Sequence, residues 1–308
     1  MGDRIMLTVF GSINIDQVVR VKAFVAAGET VIGERVGEFH GGKGANQVVA
    51  AARVAADRTE ILMVGCVGAD ELGANALTNL RENGVKAECE AREDSATGTA
   101  WITIDETGEN AITVLPGANA KLAAERIPYS VMAATTVLLC QGEVQFRETA
   151  RAVARVRELR SEATIIVNLA PVPSDMTGGD LESVLIALDV LIVNSREADQ
   201  VEALTERQLS EIGRELSFST VVTRGSEGAL IYDPQGGART VPSLSTQPVD
   251  TTGAGDTFCG TLAALLAEGM SLHRSVYYAC RAGSLACGQV GAQAAMPSRA
   301  EVLDEADG

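Results

Sequence analysis

Short apolar runs recur along the chain, spaced so that one helix fits between most neighbouring pairs. IMLTVFG at 5–11, ILMVGCVG at 61–68, TTVLLCQ at 135–141, TIIVNLA at 164–170, DVLIVN at 189–194 and FSTVVTRG at 218–225 are dominated by apolar and β-branched residues. That pattern predicts strands buried on both faces of a parallel sheet. Residues 45–56, 71–83, 147–159, 207–216, 256–267 and 272–287 instead carry apolar residues at helical spacing, which predicts amphipathic helices. The alternation predicts an α/β fold with a doubly wound, mostly parallel central sheet and helices on both faces.

Two segments break the alternation. Residues 12–38 and 97–115 show shorter β-like patterns, the second around the turn-prone Glu-Thr-Gly-Glu-Asn at 106–110. They predict a small β-sheet lid, inserted into one domain spanning 1–308, over the strand ends where open α/β sheets bind ligands. Its outer face offers strand edges to a second subunit.

Composition narrows the function. At 308 residues the chain can form one large α/β domain. No apolar run approaches the roughly 18 residues of a membrane helix, so no membrane partner is expected. The start, MGDRIMLTVFGSINID, lacks a basic segment followed by a long apolar core, which predicts a cytoplasmic protein. A net charge of −16 argues against a nucleic-acid partner. An anionic substrate then needs a local pocket, which backbone N–H groups at a helix start supply without net positive charge. Six cysteines without CxxC pairs suggest free thiols. Two distant histidines, His40 and His273, leave little material for a histidine metal site or a Ser-His-Asp triad.

The strongest chemical signal is VDTTGAGDTFCG at 249–260, where a strand-compatible stretch reaches Gly253-Ala254-Gly255 and a helix is predicted from Asp256. Small residues let backbone amides approach an anion, and the helix dipole adds positive potential. A carboxylate beside such an anion hole can take an alcohol proton while the amides stabilise a transferred phosphoryl group. In GGKGANQ at 41–47, Gly44 stands where a Walker A loop needs Ser or Thr. The motif instead suits close approach of a polyol, with Lys43 and Asn46 as donors, or simply a tight turn with a solvated lysine. Asn14 and Asp16, two apart after the first strand, share a face and suit vicinal hydroxyls; an Asx turn is the other reading. Glu143 is a further polyol ligand or a surface residue. Asn194 and Glu197 either hold water around a magnesium ion bound to ATP or cap a helix. Thr223 to Gly228 is either a hairpin turn or a loop contacting nucleotide phosphates.

In order, GSINID, GGKGANQ, MVGCVGADELG, the stretch from GTAWI to PGAN, QGE at 141–143, VNLAPVP, VNSREAD, TRGSEG and DTTGAGDTFCG resemble the ribokinase family of carbohydrate kinases over nearly the whole chain. GSIN with GGKGANQ is more similar to the ribose-phosphorylating members than to the nucleoside or fructose ones. The resemblance implies ATP-dependent phosphorylation of D-ribose at the 5-hydroxyl, with another sugar or a nucleoside, or a non-catalytic sugar sensor, as alternatives. It implies Asp256 as base and the amides of Gly253, Ala254, Gly255 and Asp256 as anion hole. Asn14, Asp16, Gly41, Gly42, Lys43, Asn46, Glu143 and Asp256 match sugar-contacting positions. Asn194, Glu197, Thr223, Gly225, Gly228 and Gly255 match ATP and magnesium positions. A potassium ion is implied beside Asp250, Thr252, Ala286, Gln289, Gly291 and Ala295, together with a homodimer through the lid. Three departures stand out: Ala295 replaces a usual hydroxyl residue, Cys280 stands where a polar residue near adenine is common, and AFVAAGE lacks the usual prolines.

Overall fold

The computed structural model describes residues 5–174 and 176–304. The ends of the expected 1–308 domain, 1–4 and 305–308, lie outside the described residues. The strands are β1 (Ile5–Phe10), β2 (Asn14–Arg20), β3 (Glu34–Gly41), β4 (Thr59–Gly68), β5 (Lys86–Arg92), β6 (Gly98–Ile104), β7 (Asn110–Leu115), β8 (Val137–Gln141), β9 (Thr164–Asn168), β10 (Val190–Asn194), β11 (Ser219–Thr223), β12 (Ala229–Tyr232) and β13 (Ala238–Val241). The α-helices are α1 (Lys43–Val54), α2 (Glu71–Glu82), α3 (Tyr129–Ala134), α4 (Phe146–Leu159), α5 (Gly178–Ala187), α6 (Ser195–Thr205), α7 (Leu209–Leu216), α8 (Ala254–Ala267), α9 (Leu272–Ala286) and α10 (Arg299–Leu303).

Nine strands form the central sheet in the order β13-β12-β11-β10-β9-β8-β1-β4-β5. Pairing is parallel from β11 through to β5 and antiparallel for β12 and β13 at one edge. Helices cover both faces because strand residues alternate: Leu7 and Val9 of β1 join Val48, Leu262 and Val276 in one core, while Phe10 joins Phe146 and Val153 in the other. Each strand buried on both sides is therefore predominantly apolar, as its sequence anticipates.

The order also locates a crevice. From β1 the sheet grows one way to β4 and β5, whereas β8 returns to the opposite side of β1 and the chain continues outward through β9, β10 and β11. The C-terminal ends of β1 and β8 thus flank a topological switch point, the usual ligand position in an open α/β sheet.

Four strands form a second sheet in the order β3-β2-β6-β7, with β2 and β6 parallel and the outer pairs antiparallel. Only parts of the 12–38 segment are extended, since residues 21–33 between β2 and β3 are irregular and mostly exposed. The turn at 105–109 is held by Asp105, whose Oδ1 accepts from Thr107 N at 2.9 Å and Glu109 N at 3.0 Å. β7 is exposed along its whole length, and Trp101 and Ile112 remain 49% and 55% exposed. Among the described residues, no helix is long and apolar enough to cross a membrane.

Candidate active site

Helix α8 starts two residues earlier than the sequence predicts, at Ala254, so Asp256 is its third residue. Gly253 precedes it with φ of 76°, a left-handed conformation suited to glycine. Gly260 brings α8 against α1: a Cβ there would collide with the Gln47 carbonyl and lie 2.7 Å from the Ala50 Cβ. The first turns of the two helices therefore lie side by side, and Asp256 meets residues some 210 positions away. Asn46 Nδ2 donates to its Oδ2 at 2.9 Å and Gln47 Nε2 to its Oδ1 at 3.0 Å. Although only 8% exposed, the carboxylate has both oxygens satisfied, as a buried charge requires. The N–H groups of Gly255 and Asp256 precede the first intrahelical bond, from Thr257 N to Gly253 O at 2.8 Å. A Cβ on Gly255 would meet no atom within 4 Å, so this helix start faces open space.

Around Asp256 the structure gathers the residues singled out for a polyol. Glu143, just after β8, accepts from Ser12 Oγ at 2.6 Å and from Lys43 N at 2.9 Å, which ties the ends of β1 and β8 to the start of α1. Asn14 and Asp16 lie within β2, opposite Gly41 and Phe39, rather than in an Asx turn. Asn119 Nδ2 donates to Asn14 Oδ1 at 2.8 Å and to Ile13 O at 3.0 Å, and its Oδ1 accepts from Ile13 N at 2.9 Å. Burial, reinforced by the charges of Glu143 and Asp256, pushes the Asp16 carboxyl up to about 7. The charge of Asp256 raises the Lys43 ammonium above its usual value, against burial and with help from Glu143 and Glu197. A cleft of about 470 Å³ is lined by Asn14, Asn119, Glu143, Pro171 and, from the second sheet, Val114, whereas Asp16, Lys43, Asn46 and Asp256 are not part of its lining.

A second cleft of about 580 Å³ lies at the ends of β10 and β11, where Asn194 and Thr223 are register partners. Asn194, Ser195, Arg196, Thr223, Arg224, Gly225 and Glu227 line it. Asn194 and Glu197 form a capping box for α6, with Asn194 N donating to Glu197 Oε2 at 2.8 Å and Glu197 N to Asn194 Oδ1 at 2.9 Å. The capping geometry is thus present, and Glu197 also contributes to the field at Lys43. Burial raises the Glu197 carboxyl above its ordinary value. Residues 224–228 make the hairpin turn between β11 and β12, and Arg224, Gly225 and Glu227 of that turn wall the cleft. Gly228 is set apart from that lining: a Cβ there would collide with the Val241 carbonyl and lie 2.7 Å from Pro242.

The segments around 250 and 290 meet next to the start of α8. Asp250 Oδ2 accepts from Gly291 N and its Oδ1 from Thr252 N, both at 2.9 Å, while Val249 N donates to Cys287 O at 2.8 Å. Burial opposes ionisation of Asp250, but these amides outweigh it and hold the carboxyl below its usual value. Gln289 N donates to Ala286 O at 3.4 Å, and a Cβ on Gly253 would lie 2.9 Å from Ala292. Ala295 is buried.

Sequence reasoning passed over Ser12, Gln47, Asn119, Gln141, Asn168 and Gln293, which contact the residues above. Their signal is faint but physical. Gln141 and Asn168 end apolar strand runs with an amide, where a buried polar group needs a partner.

The pattern of the pfkB family carbohydrate kinases matches residues 4–299. The ribokinase of Lactococcus lactis is 36% identical over 298 residues, 96% of this chain and 95% of that protein. The structure of ribokinase from Thermotoga maritima superposes with a TM-score of 0.86 at 29% identity, covering 97% of this chain and 98% of that one. That of Arabidopsis thaliana ribokinase complexed with ribose and ATP gives 0.83 at 25% identity, covering 96% and 97%. The chain therefore belongs to the pfkB family of carbohydrate kinases and is a sugar kinase that uses ATP.

Proposed function

We propose that this kinase transfers a phosphoryl group from ATP to the 5-hydroxyl of D-ribose, giving D-ribose 5-phosphate and ADP by one in-line step without a covalent enzyme intermediate. The observation that carries the reading is the Asp256 carboxylate, clasped by Asn46 and Gln47 next to unbonded helix-start amides that face open space. Asp256 accepts the hydroxyl proton, and the amides of the 253–256 turn stabilise charge on the phosphoryl oxygens. Asn14, Asp16, Lys43, Asn46 and Glu143, with the backbone at Gly41 and Gly42, bind the other hydroxyls. The ribokinases among the relatives, one of them complexed with ribose and ATP, support ribose as acceptor.

Thr223, Gly225 and Gly255 bind the nucleotide, with Gly228 shaping the turn behind them, helped by Arg196 and Arg224, whose guanidinium groups bond to no other described residue. For magnesium the fit rests on Glu197: only its Oε2 is used in the capping box, which leaves the other oxygen for water on the ion. When bound, magnesium would neutralise charge on the phosphate oxygens. Asp250, Thr252, Ala286, Gln289, Gly291 and Ala295 would hold a potassium ion mainly through backbone carbonyls beside the Asp250 carboxylate, with the Ala295 side chain adding no donor. The 12–38 and 97–115 segments act as a lid that excludes water and join two copies into a homodimer. We also place the protein in the cytoplasm as a single 1–308 domain.

An ADP-release assay with ATP, magnesium and potassium, run across ribose, deoxyribose, other pentoses, hexoses and nucleosides, tests the reading. Ribose is expected to give the highest kcat/KM. Preference for another compound would reassign the acceptor, and sugar binding without ADP release would make the chain a sensor.

A further inference from the structure

Two chains of amides converge on the Asp256 carboxylate, and their direction is fixed at the far ends. On one side Arg53 Nη2 donates to Asn83 Oδ1 at 3.2 Å and Asn83 Nδ2 to Asn79 Oδ1 at 3.3 Å. Asn79 Nδ2 then donates to Gln293 Oε1 at 2.7 Å, Gln293 Nε2 to Asn46 Oδ1 at 3.0 Å, and Asn46 Nδ2 to Asp256 Oδ2 at 2.9 Å. A guanidinium only donates and an ionised carboxylate only accepts. Each amide between them therefore has one orientation compatible with all these bonds.

The other side is fixed by a backbone carbonyl. Asn168 Nδ2 donates to Ile192 O at 3.2 Å, which turns its Oδ1 toward Gln47. Gln47 Nε2 donates to Asn168 Oδ1 at 2.9 Å and Asp256 Oδ1 at 3.0 Å, while Gln141 Nε2 donates to Gln47 Oε1 at 2.9 Å. Gln47 and Gln141 are wholly buried and Gln293 is 7% exposed. Buried amides are costly when any member lacks a partner, as Gln141 Oε1 does here, so a network this extensive around one carboxylate calls for a reason beyond filling the core.

We propose that Gln47 and Gln293 are positioning residues for phosphoryl transfer: Gln47 directly, and Gln293 through Asn46, fix the Asp256 carboxylate in one rotamer aimed at the acceptor hydroxyl. The inference rests on the reading of Asp256 as the base. A base must stand within hydrogen-bond reach of the proton it removes, and a misplacement of about 1 Å costs on the order of 100-fold in rate. Asp256 lies near the start of α8, where its side chain has other helix-start donors to turn toward. The two amide chains hold it away from them.

The test compares Gln47→Met and Gln293→Met, unbranched replacements of similar length, each alone and combined with Asp256→Asn. Gln47→Met is expected to lower kcat about 10- to 100-fold and Gln293→Met about 3- to 10-fold, with KM for ATP unchanged. In the Asp256→Asn background each should change the residual rate less than about twofold, because the group they orient has lost its function. Equal losses in both backgrounds, or no loss in the single variants, would overturn the proposal while leaving Asp256 as base. Full turnover in Asp256→Asn alone would overturn both, and so separates the two failures. Should Gln47→Met not fold, Gln293→Met, nearer the surface, carries the test by itself.

Discussion

The two ends of the crevice, the one proposed for the acceptor and the one proposed for the nucleotide, are built from different materials. Asn14, Asn46, Gln47 and Asp256 are all buried, and amide partners hold each side chain from at least one direction. At the other end Arg196, Arg224, Gly225 and Glu227 are exposed. A neutral polyol offers only directional hydrogen bonds, which reward groups fixed before the ligand arrives. A polyphosphate carries its own charge and is drawn by backbone amides and guanidinium groups over a longer range. In a chain of net charge −16, the two arginines would also offset repulsion for an anion entering the proposed nucleotide end. The first end depends on geometry, the second on field.

The largest effect that can break this contrast is at the base. Asp256→Asn should lower kcat by about two to four orders of magnitude and leave sugar binding roughly intact; unchanged turnover in a steady-state assay would remove it from this role. Next comes Asp16. A carboxyl near 7 is protonated below that pH and charged above it, and the charged form is the better acceptor for sugar hydroxyls. Sugar kcat/KM should therefore rise between about pH 6 and 8. Asp16→Asn should lower it by about 10- to 100-fold and flatten the component of the profile centred near 7. A profile of the same shape in the variant would sink this assignment.

Smaller effects sharpen the nucleotide end. Arg224→Ala is expected to raise KM for ATP by roughly 3- to 10-fold, leave the sugar KM alone and reduce the salt dependence of ATP binding. A change in sugar KM of the same size would blur the division between the two ends. The smallest effect on catalysis belongs to the second sheet: Ile112→Asp, on the exposed strand β7, should shift sedimentation at micromolar concentration toward the monomer, with kcat altered less than about twofold. Unchanged sedimentation would leave the β7 face outside any subunit contact.

Much of the frame was legible from periodicity. The runs at 5–11, 61–68, 135–141, 164–170, 189–194 and 218–225 all contain strands of the central sheet, because strands covered on both faces leave an unbroken apolar signature. β5, KAECEAR, escaped notice because it is an edge strand whose charges alternate with small residues. α5 also escaped: its opening Gly178-Gly179 reads as a loop, yet Thr177 Oγ1 caps it by accepting from Asp180 N at 3.1 Å. α6 is polar over most of its surface, and only its capping box marks it.

The sequence alone determined the alternation of strand and helix, the acid at a glycine-rich helix start, and the lysine and asparagine opening another helix. These are properties of neighbours in the chain, and local sterics and hydrophobic periodicity suffice for them. Only the tertiary structure decided that Asn46, Gln47 and Asp256 touch, that Asn119 orients Asn14, and that Gln293 reaches Asn46 from 247 residues away. Such bonds depend on how closely α1 and α8 pack at Gly260 and on which strands adjoin at the switch point. Both follow from packing the whole chain rather than from any window within it.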